Sequence, residues 1–204
     1  MNSRFQVHEY RKGRDIAHLD WKSGESRQVF TSRIFNVDSV HHSREDGRQG
    51  DFLRLNCPDW VNICAMTRDS RDRECLVMVR QYRHGNEQIA LELPGGMVDS
   101  GEAIEDSARR ELFEETGFSA GNIHHIGSSN PNAAFMGNTM HVFAAGELEF
   151  AGNRQLDDNE VLDVELVPIA LLDRGEVPEF LVNGIMTLAW YYFATWMRRT
   201  GRMP

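Results

Sequence analysis

Gly95–Phe118 reads GGMVDSGEAIEDSARRELFEETGF. Asp99-Ser100-Gly101 is a turn, and the run from Ala103 to Thr116 favours a helix that stops at Gly117, the residue type suited to the position past a helix end. At about 100° per residue, with Glu111 at 0°, Ile104, Ala108 and Leu112 fall at about 20°, 60° and 100° and make one apolar stripe. Glu115 falls at about 40°, inside that stripe, and Glu114 about 60° to the other side of Glu111. Glu111 and Glu115 therefore lie one turn apart on the edge of the buried face. Like charges at these spacings repel, and a half-buried carboxylate needs compensation. Arg110 can reach Glu114 at i+4. Hard divalent cations can bridge the remaining oxygens. The side-chain-free Gly95-Gly96 backbone can approach an ion or a phosphate closely. An acidic solvated helix face is the alternative for such a segment taken alone.

Outward from this helix the chain is rich in strand signals. Trp60–Thr67 (WVNICAMT) and Cys75–Tyr82 (CLVMVRQY) flank a charged turn, and Ile89–Leu93 is a short strand ending at Pro94. Ile123–Ser128, Thr139–Leu148 and Val161–Val167 are further strands. Val29–Val37 (VFTSRIFNV) and Asp51–Leu55 have strand composition, with a hairpin signal at Asp46-Gly47 between them. Phe180–Arg199 reads as a second long helix, and residues 1–28 carry no clear pattern. Many strands with two substantial helices imply a mixed sheet covered by helices, an α+β arrangement.

Composition bounds the rest. At 204 residues the chain is about one domain. Its 22 Lys+Arg against 31 Asp+Glu give a net charge of −9, the wrong sign for a general nucleic-acid or anionic-membrane binder. Cys57, Cys64 and Cys75 form no CxxC pair, which excludes a zinc ribbon and predicts free thiols in a reducing compartment. The N-terminus lacks an apolar signal core. The longest apolar stretch, Leu188–Met197, is too short for a bilayer. A cytoplasmic protein is expected. His41-His42 and His124-His125 put neighbouring rings on opposite strand faces, so neither pair chelates.

Gly96, Glu102, Arg110, Glu111, Leu112, Glu114, Glu115, Gly117 and Phe118 fill every required place of the Nudix box, so the chain resembles the Nudix hydrolases. Average residue usage makes a chance match on the order of one in a million. The resemblance implies an α+β fold: a Nudix-type α/β/α sandwich with a mixed β-sheet. It also implies cleavage of a diphosphate linkage with Mg²⁺, or Mn²⁺ in its place. Glu111, Glu114 and Glu115 then look like metal ligands, joined by the carbonyl of Gly95. Arg110, grouped with the catalytic residues, and Glu102 look like box residues that orient the glutamates and close the loop rather than reacting themselves.

QYRHG (Gln81–Gly85) and LELPGG (Leu91–Gly96) resemble the subgroup acting on ADP-ribose and nucleoside diphosphate sugars. That implies a phosphate-binding Arg83 and a site-lining Glu92, unless Glu92 faces solvent between Leu91 and Leu93. Arg54 is a further substrate-binding candidate. The subgroup implies a homodimer exchanging an N-terminal antiparallel β extension (residues 1–56) beside a catalytic domain (57–204). It also implies a water-activating base late in the chain, for which Glu160 stands ahead of Asp158, with Glu114 as the fallback. SNPNAAFMGNTMHVF (Ser129–Phe143) departs from the subgroup pattern after Pro131, which leaves other nucleotide sugars open. Phe135 and Met136 are pocket candidates, with core packing as their ordinary role. Dinucleoside polyphosphates, nucleoside triphosphates or capped RNA as substrates, and a non-catalytic nucleotide-sugar sensor, are the competing readings. The acidic charge counts against RNA, and the intact box against a sensor.

Overall fold

The structure, a computed structural model, describes residues 9–156, 161–180 and 182–202. β1 (Lys22–Thr31), β2 (Asn36–Ser43) and β3 (Gln49–Asn56) form an antiparallel sheet in that order. A second sheet contains β4 (Trp60–Arg68), β5 (Glu74–Arg83), β6 (Gln88–Glu92), β7 (Phe118–Ser129), β8 (Met140–Phe150) and β9 (Leu162–Pro168). The helices are α1 (Ile104–Thr116), the short α2 (Ile169–Asp173) and α3 (Gly184–Arg199). β4 and β8 run parallel from Trp60↔Met140 to Ala65↔Ala145, whereas β5, β6, β7 and β9 pair antiparallel, so the sheet is mixed.

The two faces of this sheet are separate cores because successive side chains point oppositely. Val61, Ile63, Ala65, Val77, Phe143 and Ala145 pack against Ala108 and Leu112 of α1. Cys64, Leu76, Met78, Val142 and Ala144 pack against Ala189, Phe193 and Met197 of α3. The result is the α/β/α sandwich. With both faces covered, its strands read as continuous apolar runs.

One irregularity positions the site. β9 takes one edge of β5 along residues 75–81. The other edge is divided, β4 pairing residues 74–77 and β6 residues 79–83. Beyond β6 the chain turns onto β4. Ile63 N–H donates to the Pro94 carbonyl and Val61 N–H to the Gly96 carbonyl, both at 2.9 Å. The Pro94–Gly96 backbone is thereby locked to a central strand before it enters α1.

Three expectations change. Val29–Val37 is not one strand: Ser32 breaks it. Its hydroxyl donates to the Phe35 carbonyl at 2.7 Å and accepts from Phe35 N–H at 3.0 Å, closing a turn between β1 and β2. The C-terminal helix starts at Gly184 rather than Phe180. Asn183 caps it by accepting from Ile185 N–H at 3.0 Å, and Pro178–Phe180 is a separate 3₁₀ turn. Residues 22–28, which showed no pattern, belong to β1. All ten residues of β1 are exposed, so no apolar alternation marks it.

Candidate active site

α1 carries three glutamates on a face it half buries. Its first turn holds Glu105 and Asp106 near the positive end of the helix dipole. Gly117 ends it in the left-handed region, φ 76°, with its N–H bonded to the Phe113 carbonyl. Ala108 and Leu112 anchor the inner face. Glu115 shares that face and is only 2% exposed.

Arg110 is the electrostatic centre of this cluster. It donates Nε to Glu102 Oε1 at 3.0 Å and Nη2 to Glu102 Oε2 at 2.9 Å, a fork on a carboxylate. Its Nη1 reaches Glu111 Oε1 at 2.8 Å and Glu114 Oε2 at 3.0 Å, and Nη2 also donates to the Met97 carbonyl at 3.1 Å. One guanidinium thus ties the loop to α1 and offsets the repulsion among the glutamates. The Glu102 carboxyl is held down at about 2, chiefly by the Arg110 hydrogen bonds, and Arg110 is pushed up by the same partner. Glu115 takes a different donor, the Gly95 N–H, at 2.9 Å from its Oε2.

The glycines are required by contact. A Cβ on Gly95 would overlap the Val61 carbonyl oxygen, and one on Gly96 would sit 2.5 Å from the Glu111 carboxyl carbon. The backbone and the glutamates therefore occupy a cradle that any side chain would fill.

A cavity of about 640 Å³ opens over this cradle. Gly95, Gly96, Glu111, Glu114 and Glu115 form one wall, and Gln81, Arg83 and Asn183 line it elsewhere, with Ile34 and Trp60 as apolar parts. Glu92 does not face solvent: it is 0% exposed. Arg83 Nε donates to Glu92 Oε2 at 2.7 Å, and Asn183 Nδ2 donates to Glu92 Oε1 at 2.6 Å. The alternation of Leu91, Glu92 and Leu93 misleads because both faces of this sheet are covered.

The structure thus brings Gly95, Glu111, Glu114, Glu115, Arg110 and Arg83 together, with Glu92 behind Arg83. It does not bring Arg54 to this cavity. Arg54 lies on β3 beside Asp38 at 3.5 Å and lines a separate groove with Trp21, Phe52, Phe135 and Met136. Phe135 is 47% exposed, so neither the main pocket nor the core claims it. Glu160 and Asp158 lie outside the described residues. Gln81, Asn183, Trp60 and Ile34 were not singled out from sequence. Only Gln81, inside QYRHG, carried any signal, because the others are remote from the box in the chain. His41 bonds Asp51, and His125 shares the Ser128 hydroxyl with His141, so the histidine pairs are engaged separately.

The donor set suits a hard divalent cation: carboxylates and backbone carbonyls around a cradle kept clear of Cβ atoms. Among the described residues, no three acidic, His or Cys side chains converge as a finished metal cage. Arg110 draws Glu111 and Glu114 to itself, and Glu115 is turned to Gly95. Such a site fits a divalent ion that takes a few carboxylates and fills the rest of its shell with other oxygen ligands.

Comparison with known proteins agrees with this geometry. The NUDIX domain profile matches residues 59–183. The chain is 29% identical over 162 residues to the ADP-ribose pyrophosphatase of Bacillus subtilis (strain 168), covering 79% of this chain and 84% of that protein. It is 27% identical over 178 residues to the ADP compounds hydrolase NudE of Escherichia coli (strain K12), covering 86% and 92%. A crystal structure of an ADP compounds hydrolase superposes with a TM-score of 0.75 at 26% identity, over 90% of this chain and 97% of that one.

Proposed function

Because the chain belongs to the Nudix family, we propose that it is a divalent-metal-dependent pyrophosphohydrolase of nucleoside diphosphate sugars, with ADP-ribose the leading substrate. Water attacks one phosphorus of the diphosphate, giving a nucleoside monophosphate and a sugar phosphate. The observation that carries this reading is a single cavity lined by three glutamates on one side and by Arg83 on another. Its volume suits one small ligand, and the relatives named for ADP-ribose and ADP compounds support the choice of substrate class.

The residues divide the work. Arg83 offers a charged planar fork to phosphate oxygens. Arg110, holding Glu102, Glu111 and Glu114 at once, keeps the acidic wall in place while the substrate enters. Glu111, Glu114, Glu115 and the Gly95 carbonyl would hold Mg²⁺, or Mn²⁺ in its place, which when bound neutralises the diphosphate and lowers the pKa of a water. Glu160 is the base that removes the proton from the attacking water.

Residues 1–56 act as an extension that pairs two copies beside the catalytic domain of residues 57–204. The fully exposed β1 supports this, as do Phe30 and Leu53, 53% and 63% exposed. In that dimer Arg54 serves as a substrate contact. Among the described residues no helix is long and apolar enough to cross a membrane. The three free cysteines suit the reducing cytoplasm, where we place the protein.

The deciding experiment is a turnover panel with Mg²⁺: ADP-ribose, ADP-glucose, GDP-mannose, UDP-glucose, a dinucleoside polyphosphate and a nucleoside triphosphate, each with an EDTA control. Metal-dependent release of a monophosphate from a nucleotide sugar is the expected result. Preference for a polyphosphate would move the substrate class. Silence with calorimetric binding retained would make the protein a sensor.

A further inference from the structure

We propose that Asn183 is a positioning residue that aims Arg83 at the substrate diphosphate through the buried carboxylate of Glu92. The inference rests on the pyrophosphohydrolase reading and adds a residue 91 positions from its partner in the chain.

The side chain of Asn183 works in two directions. Its Oδ1 accepts from Ile185 N–H at 3.0 Å, capping α3, and its Nδ2 donates to Glu92 Oε1 at 2.6 Å. The two partners settle which atom is which, since only the amide nitrogen can donate to a carboxylate. Glu92 is 0% exposed, and its other oxygen accepts from Arg83 Nε at 2.7 Å and from Gln81 Nε2 at 3.4 Å. Arg83 Nη2 also pairs with that oxygen. Both oxygens of a buried carboxylate are therefore used, as burial demands.

The consequence falls on Arg83. Nε and Nη2 are committed to Glu92, while the side chain as a whole is 46% exposed and lines the cavity. The plane of the fork is set by the plane of the Glu92 carboxylate, and Asn183 fixes that plane by holding Oε1. The relay is braced by a second contact between the same elements, Leu93 N–H donating to Met186 Sδ of α3 at 3.1 Å. Site precision of this kind depends on supporting groups that lock the rotamers of the residues touching substrate.

The residue type is informative. Asp or Ser would cap the helix as well as Asn. Asp would place an oxygen against the Glu92 oxygen, and Ser is too short to reach it. Only the amide both caps and donates.

That separation gives the test. N183D and N183S retain the cap acceptor and lose the donor. Measured with ADP-ribose and Mg²⁺ on the full chain, KM rises about tenfold in both, the scale of one lost hydrogen bond to a charged group. In both, kcat stays within about twofold, while thermal unfolding falls by several degrees, more in N183D, where two carboxylates meet, than in N183S, where one buried oxygen loses its donor. The double variant N183D/E92Q restores the relay with reversed polarity: the introduced amide donates to the introduced carboxylate and its oxygen accepts from Arg83. Its KM returns most of the way to wild type. Wild-type KM in N183D, or no recovery in the double variant, overturns the proposal. Calorimetric affinity for ADP-ribose with Ca²⁺ in place of Mg²⁺ measures the same effect without turnover: about tenfold weaker binding in N183D supports the role, and equal affinity overturns it. A wild type that binds ADP-ribose and never cleaves it would sink the hydrolase reading and leave this comparison intact.

Discussion

Arg110 grips Glu102, eight residues upstream, through two parallel hydrogen bonds of 3.0 and 2.9 Å. The pair joins the loop after Gly96 to α1 and lowers the Glu102 carboxyl from an ordinary 4.5 to about 2, the Arg110 bonds outweighing the burial that pushes the other way. A carboxyl depressed in the folded state contributes stability that is fully present above 4.5 and is lost as pH falls through 2. In that window the unfolded chain binds the extra proton. Wild type is expected to take up close to one more proton on unfolding than Glu102→Gln, read from the pH dependence of its unfolding free energy. Equal slopes for the two proteins would mean that the pair is not maintained in solution.

Gly96→Ala tests the cradle. The new Cβ would lie 2.5 Å from the Glu111 carboxyl carbon, and Glu111 is already tied to Arg110 at 2.8 Å. Glu111 must rotate away, so the Mg²⁺ concentration for half-maximal activity should rise at least about tenfold, the lower end of what misplaced metal-site partners cost. Because the clash is with a side chain, the fold should survive. An unchanged metal requirement would show that Glu111 does not hold the ion.

How much of this was legible in the chain depended on what each residue had to satisfy. The helix from Ile104 to Thr116 and its glutamates were readable because their spacing is fixed by one helix face, which a single segment displays in full. Glu92 was ambiguous because alternation separates solvent from core only when one sheet face is open, and here both are covered. Residues 22–28 of β1 were invisible because nothing in the strand's burial repeats with period two. The link from Asn183 to Glu92 spans 91 positions, so only the packing of α3 against the end of β6 reveals it. Arg54 lies on β3 in another groove of the same chain, a placement that depends on strand order and that its own segment does not display.

Glu115→Gln separates chemistry from folding. Glu115 is 2% exposed and accepts from Gly95 N–H at 2.9 Å. Glutamine keeps an oxygen for that bond and nearly the same shape, so thermal unfolding should stay within about 3 °C, in keeping with an intact neutral hydrogen bond. The negative charge needed for a cation is gone, and turnover should fall by about three orders of magnitude or more, on the scale of losing a charge-stabilising group. Parallel loss of stability and activity would assign Glu115 to the core instead.

Glu160→Gln addresses the proton. A general base contributes about 10²–10⁴ to rate and little to ground-state binding. The variant should therefore lose kcat by about a hundredfold or more while KM for ADP-ribose changes less than about threefold. If Glu160 acts this way, the acid limb of the kcat–pH profile disappears in the variant, because the group whose deprotonation it reports has been removed. An unchanged kcat, or a surviving acid limb, would pass the role to Glu114, whose Oε2 sits 3.0 Å from Arg110. Glu114→Gln should then show the rate loss that Glu160→Gln did not.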